Sequence, residues 1–375
     1  SWRWIFYVNL PIGIVAAVLM IMSYRESRGE KRPIDFAGAL TVTGGIVLFL
    51  LATARGGEAW AWTSWQSISM YGAAVALLVI FGIIETRVPE PVLDPALFHN
   101  RTFSVVSIVG FLMGAGMFGA IMFVPYFIQG VVGVDPNQAG NVMTPMMLTM
   151  VVFSILSGRL ALKLQYRVQI SVGFAVVATA FYLMTHWNVD TTQLQATLSS
   201  MVLGAGLGLI MPILMLSVQN AFPANRRGVV TSASTFFRQI GATVGITVFG
   251  VIFNNQMASR FQTDLAPAMA KMGPTVASLP PQAQQFFQQI KETPQVLIRM
   301  LLSPEAQQMV PPAVRDQFIG GSKLMMAQSL QVVFWTGMGV VLVGLLVTQL
   351  IGNASLKRQA AEHGEDVHID TIMTD

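Results

Sequence analysis

The stretch FFRQIGATVG, residues 236–245, places an arginine in a run that holds no other charged side chain from Gly228 to Phe253. A guanidinium is permanently charged and offers five donors in a rigid fork, which suits carboxylates, phosphates and clustered carbonyl groups. On a helix entered near residue 229, Arg238 lies about nine residues, roughly 13 Å, from the end. At such depth in hydrocarbon an arginine costs about 2.5–3.5 kcal/mol even on lenient scales. Two outcomes are open: the group faces the bundle interior or water, or it snorkels back to the headgroups. No carboxylate sits at comparable depth. The partners that remain are backbone carbonyls, water, the amides of Gln219 or Gln239, or an acid outside this chain. Asn9, Gln129, Asn141, Thr144, Gln219 and Asn220 are among the other polar residues in apolar runs. Each of them lines a substrate path or bonds a neighbouring helix, the latter for about 0.6–2 kcal/mol.

Other chemistries find no support in the sequence. It contains no GxxxxGK[ST] phosphate loop, no HExxH zinc helix and no GxSxG nucleophile turn, so neither an enzyme nor a bound cofactor or metal is expected. Cysteine is absent, which excludes disulfides and thiolate ligands, and the four histidines (His99, His186, His363, His368) fall in predicted loops or the tail. The net charge of +4 comes from basic residues at the ends of apolar runs, not from one basic face, so no nucleic-acid partner is expected.

The elements that must position Arg238 are membrane helices. Charged residues make up 11% of the 375, against roughly 25% in a soluble domain. Apolar runs long enough to cross a bilayer recur at 4–22, 36–54, 68–85, 104–130, 137–160, 168–187, 195–221, 229–254 and 330–352. An all-α integral membrane protein of about nine transmembrane helices follows. Alternate loops hold thirteen lysines and arginines against two in the other set, so the chain is expected to start outside and end in the cytoplasm. Trp2, Trp4, Trp60, Trp62, Trp65 and Trp187 fall at the outer ends, where interfacial rings are favoured. The chain opens SWRWIFYVNLPIG without an initiator Met, and the N-terminal part of a longer protein is expected to precede it.

Three blocks follow from this pattern: residues 1–22, a helix pair within 23–88, and six helices within 104–352, with a proline-stiffened connector at 89–103 and a tail at 353–375. A long polar segment, 255–328, interrupts the last block on the outer side, with amphipathic helix expected in pieces such as 283–302. Small residues at helical spacing, among them Gly204, Gly206, Gly208, Gly241 and Gly245, let helix backbones approach closely in lipid. Pro125, Pro145 and Pro212 each remove a helical hydrogen bond in mid-membrane, and bent helices of this kind recur in transporters around a central site.

Several strings, in order, resemble the major facilitator superfamily and within it the 14-helix branch of drug:proton antiporters. They are WRWIFYVNLPIG, RPIDFAGAL with Asp35 and Gly38, VLDPALFHNRTF, GVDPNQAGNVMTP and PILMLSVQNAFPANRRGVVTSASTFFRQIGATVG. The resemblance implies a fragment holding helices six to fourteen: the last N-domain helix, two linker helices and the C-terminal domain. It also implies export of hydrophobic or cationic drug-like compounds in exchange for protons, across a bacterial cytoplasmic membrane. Small substrates, protons, the bilayer and the missing N-terminal half would be the partners. Arg238, Gln239, Gly241 and Gly245 match a recurrent pattern of helix thirteen in that branch. In GRLALKLQYR the sequence departs from the pattern, because Leu162 stands where an acid is common. Secretion of one metabolite or lipid, and a non-transporting membrane scaffold, are the alternative readings.

Overall fold

The computed structural model describes residues 3–23, 35–56, 60–89, 91–267, 295–302 and 312–352. Eleven α-helices run along them: α1 (Arg3–Tyr7), α2 (Asn9–Ser23), α3 (Phe36–Arg55), α4 (Trp65–Glu85), α5 (Arg101–Phe127), α6 (Pro136–Ala161), α7 (Tyr166–Thr185), α8 (Gln193–Asn220), α9 (Arg227–Arg260), α10 (Gln295–Leu302) and α11 (Pro312–Thr348). Among the described residues eight helices are long and apolar enough to cross a membrane, and α2 is a shorter apolar ninth. There is no strand among them, only one isolated bridge between Gly56 and Trp60. A lipid-embedded chain must satisfy its backbone groups within each segment, and continuous helix does so.

Polar side chains set the helix starts where the chain leaves the apolar layer. Asp35 caps α3 by accepting from Gly38 N at 2.8 Å. Asn100 caps α5 through Thr102 N and Phe103 N. Thr192 and Gln195 form a reciprocal capping box on α8. Each cap satisfies amide groups that have no partner inside the first turn.

Helices α5–α9 and α11 form one bundle, with α5 against α9, α8 between α6 and α7, and α11 across α5, α7 and α9. The pair α3 and α4 forms a separate hairpin that touches the bundle through α9. No residue of α2 is buried. Phe103, Phe127, Phe174, Phe181 and Phe334 are fully buried along the bundle core. Between α5 and α9 the backbones are nearly in contact: a Cβ on Gly114 would strike the Arg238 carbonyl, and one on Gly241 the Phe111 carbonyl. The α6–α8 contact is built the same way at Gly204 and Gly208, against the carbonyls of Met146 and Met150, while Gly206 faces Val177 of α7.

The polar segment expected between residues 255 and 328 is partly regular. Helix α9 continues to Arg260 and then through a π-helical turn, Phe261–Leu265, and α11 begins at Pro312, well before residue 330. At 34 residues α9 is about 51 Å long, more than a hydrocarbon core of roughly 30 Å requires. The two extensions are joined by Arg260, which donates to Gln328 and lies 3.9 Å from Asp264. Of the expected amphipathic piece 283–302, α10 carries buried Leu297, Met300 and Leu301, and residues 283–294 lie outside the described residues. Trp187 is not an interfacial anchor. It is 3% exposed, with its ring 4.8 Å from Phe127 and 5.4 Å from Phe334.

Candidate functional site

Where α5, α8 and α9 meet, at the bundle end that carries the basic turns, they line a half-open cavity of about 250 Å³. From α5 comes Gly110, which leaves the space a side chain would fill. The α8 wall is apolar and flexible, formed by Met211, Pro212, Met215 and Val218. Thr231, Ser234, Thr235 and Arg238 of α9 supply the polar wall at helical spacing. Pro212 lacks an amide hydrogen, so the carbonyl of Gly208 loses its helical donor one turn earlier, close to this space.

Arg238 lies eleven residues into α9, about 16 Å from its start. Its backbone is pressed onto α5 at Gly114, and its half-buried side chain lines the cavity. Among the described residues the guanidinium has no hydrogen-bond or ion-pair partner, and no acid lines the cavity. Gln219, one expected partner, instead donates through Nε2 to Thr231 Oγ1 at 3.1 Å. The bond steadies a hydroxyl that itself faces the cavity.

The other residues singled out by sequence are dispersed. Asn220 Nδ2 donates to the Tyr166 hydroxyl at 2.9 Å, tying α8 to α7. Gln239 and Asn141 are exposed on the bundle surface. Gln239 belongs to an outward row in which Thr243 Oγ1 donates to its carbonyl and Thr247 Oγ1 to that of Thr243, both at 2.9 Å. Gln129 lies in a π-helical turn, Ile128–Val132, that follows Pro125 and ends at Gly133 with φ of 84°. Pro145 lies inside α6, and Gly245 faces Ala115 of α5. Of the fourteen positions, Arg238 and Pro212 share the cavity, with Gln219 one bond away.

Two polar features and one aromatic contact escaped the sequence reading. Gln169, 1% exposed, donates through Nε2 to the Ser157 carbonyl and hydroxyl at 2.8 Å each, and Ser157 Oγ donates to the Leu209 carbonyl at 2.8 Å. That network joins α6, α7 and α8. The buried carboxylates of Asp35 and Glu85 meet at the basic end of the α3–α4 hairpin, where Glu85 also accepts from Leu93 N at 3.1 Å. Phe98, in the 3-10 turn Pro95–His99, stacks edge-on against both Phe103 and Phe237, so the connector rests on the residue before Arg238. A larger opening of about 470 Å³ at the α7–α8 turn, lined by Trp187, Leu198 and exposed His186 and Asp190, sits at the opposite end. Among the described residues no cluster of three or more His, Cys, Asp or Glu could hold a metal.

The profile of the Major Facilitator Superfamily matches residues 1–246. The multidrug transporter protein MdtP of Bacillus subtilis (strain 168) is 40% identical over 372 residues, which is 98% of this chain and 67% of that protein. Multidrug resistance protein 3 of the same organism is 29% identical over 289 residues, covering 77% of this chain and 56% of its own length. The chain therefore spans between about half and two thirds of these relatives. A solved bacterial homologue of the human lysosomal transporter Spinster, inward-facing and unoccupied, aligns with a TM-score of 0.45 at 13% identity, over 84% of this chain and 66% of that one. An all-helical multi-pass bundle, ordered sequence strings spread along the chain and the matched profile agree: the chain belongs to the Major Facilitator Superfamily.

Proposed function

We propose that the full-length protein is a secondary active exporter of amphipathic, drug-like compounds, driven by exchange for protons across a bacterial cytoplasmic membrane. In this reading α2 is the last helix of the N-terminal transport domain, α3 and α4 are linker helices, and α5–α9 with α11 form the C-terminal domain. The basic turns face the cytoplasm, so the cavity at Arg238 is loaded from that side. One observation carries the reading: a charged side chain without a partner among the described residues lines a cavity between three helices, one of them bent-prone at Pro212. A scaffold has no use for such a group, because an unpaired charge at that depth weakens the fold. A site that exchanges solutes needs groups left unsatisfied until a solute arrives. The names of the two Bacillus relatives support drugs as the solutes.

The test is efflux of preloaded ethidium from cells that lack their own pumps and express the full-length protein. Faster efflux than in vector controls, abolished by a protonophore, is expected. Efflux at the control rate, or efflux indifferent to the protonophore, refutes the proposal.

A further inference from the structure

We infer that the cavity between α5, α8 and α9 receives the anionic end of an amphipathic acid, so that the exporter takes organic carboxylates and not only neutral or cationic compounds. The inference rests on the exporter reading given above and adds the charge of the substrate. Its basis is the cavity's inventory. The lining holds one charged side chain, Arg238, and three hydroxyl residues on the same helix, Thr231 and, one turn further on, Ser234 and Thr235. Thr231 Oγ1 already accepts from Gln219 Nε2, which leaves its own O–H to donate. The α9 side of the lining therefore offers donors and positive charge with no acceptor-only group, and a carboxylate, which accepts only, complements it. An organic cation there would face a like charge with no acid in the lining to offset it.

Size supports partial entry. A cavity of about 250 Å³ is smaller than the roughly 300–1,000 Å³ of pockets that enclose a drug-sized ligand. It accommodates an acidic head and the first ring or chain segment, with Met211, Met215 and Val218 against the apolar part. Two methionines adapt to varied shapes, so charge and not outline is what the site selects.

The experiment measures binding of tritiated cholate, and separately of its methyl ester, to the full-length protein in phosphatidylcholine nanodiscs, with empty discs subtracted. Cholate should bind the parent protein roughly 10- to 150-fold more tightly than the R238Q variant, the range for a hydrogen-bonded charge pair. Lys at the position should recover part of that loss. The ester should bind parent and R238Q alike, which also reports that the variant is folded. Equal binding of cholate and ester by the parent overturns the inference without any variant. Equal binding of cholate by parent and R238Q does so as well. A parent-to-R238Q ratio that collapses in phosphatidylglycerol discs assigns the cavity to a lipid headgroup and equally overturns it. Ethidium efflux in cells is scored independently: efflux without cholate discrimination sinks only this inference, and discrimination without efflux sinks the exporter reading and leaves the carboxylate site as a binding site alone.

Discussion

Gly245→Ala tests whether α9 is held against α5 by backbone proximity. A Cβ built on Gly245 would lie 2.5 Å from Ala115 Cα. Carbon atoms pack best at roughly 3.5–4.0 Å, so the helices must part by about 1–1.5 Å or twist aside. Overpacking of this size costs about 1–3 kcal/mol. The same substitution raises helix propensity by up to about 1 kcal/mol, which opposes the clash and makes the single measurement ambiguous. Gly250→Ala removes the ambiguity, because it lies in the same helix and its Cβ would meet nothing within 4 Å. Both variants gain the same propensity, and their difference isolates the contact. Reversible unfolding by SDS titration in mixed micelles, followed by tryptophan fluorescence, should place Gly245→Ala about 1–3 kcal/mol below Gly250→Ala. Equal stability of the two variants would refute the close approach. Because Arg238 lies on the same contact, Gly245→Ala should also alter cholate binding where Gly250→Ala does not.

Other variants probe the remaining polar contacts. Asn220→Ala and Tyr166→Phe each remove one side of a single interhelical hydrogen bond, so a double-mutant cycle by the same titration should give a coupling of about 0.6–1.7 kcal/mol; additive effects would show that the bond contributes nothing. Gln169→Leu breaks two bonds to Ser157 and should destabilise the bundle by about 1–3 kcal/mol, and an unchanged midpoint would contradict the network. Arg226→Gln should leave stability within about 1 kcal/mol, since its 3.6 Å pair with Asp94 is open to solvent, and a larger loss would point to a buried role.

The membrane spans were legible because burial in lipid writes itself into composition. The run 36–54 became Phe36–Arg55, with Asp35 at one end and Arg55 at the other marking where water begins. The extents of α9 and α11 were not legible for the same reason. Hydropathy reports the length of contact with lipid, whereas a helix continues into water as long as its own hydrogen bonds and neighbours hold it. Gln169 lies at the edge of the apolar run 168–187 with nothing in the sequence to single it out; only the fold shows Ser157 opposite it. Trp187 followed the general preference of tryptophan for interfaces, and Phe127 and Phe334, remote in sequence, decide otherwise. For the site, sequence singled out Arg238 by its isolation. It could not tell whether Gln219 or Gln239 would meet it, and among the described residues neither does, because partner choice depends on helix rotation, which a wide apolar surface leaves undetermined.

The rotation of α9 is where fold and site become one question. Glycines at 241 and 245 fix one side of the helix on α5, and this leaves Arg238 on the cavity side and Gln239, Thr243 and Thr247 on the outer row. One residue of helix corresponds to about 100°, so a slip of a single position would bring Gln239 into the cavity and carry the guanidinium out of it. The contact of Phe237 with Phe98 opposes that slip from the connector side. The α5–α9 glycine contact and the aromatic contact at the connector thus act on the same coordinate. Motion of the connector, such as a rocking transporter domain would impose, reaches Arg238 through a single intervening side chain. Phe98→Ala, which removes that link while leaving the cavity lining untouched, should weaken the difference between cholate and its ester without lowering binding of the ester. A variant that discriminates as the parent does would show that the glycines alone orient the arginine.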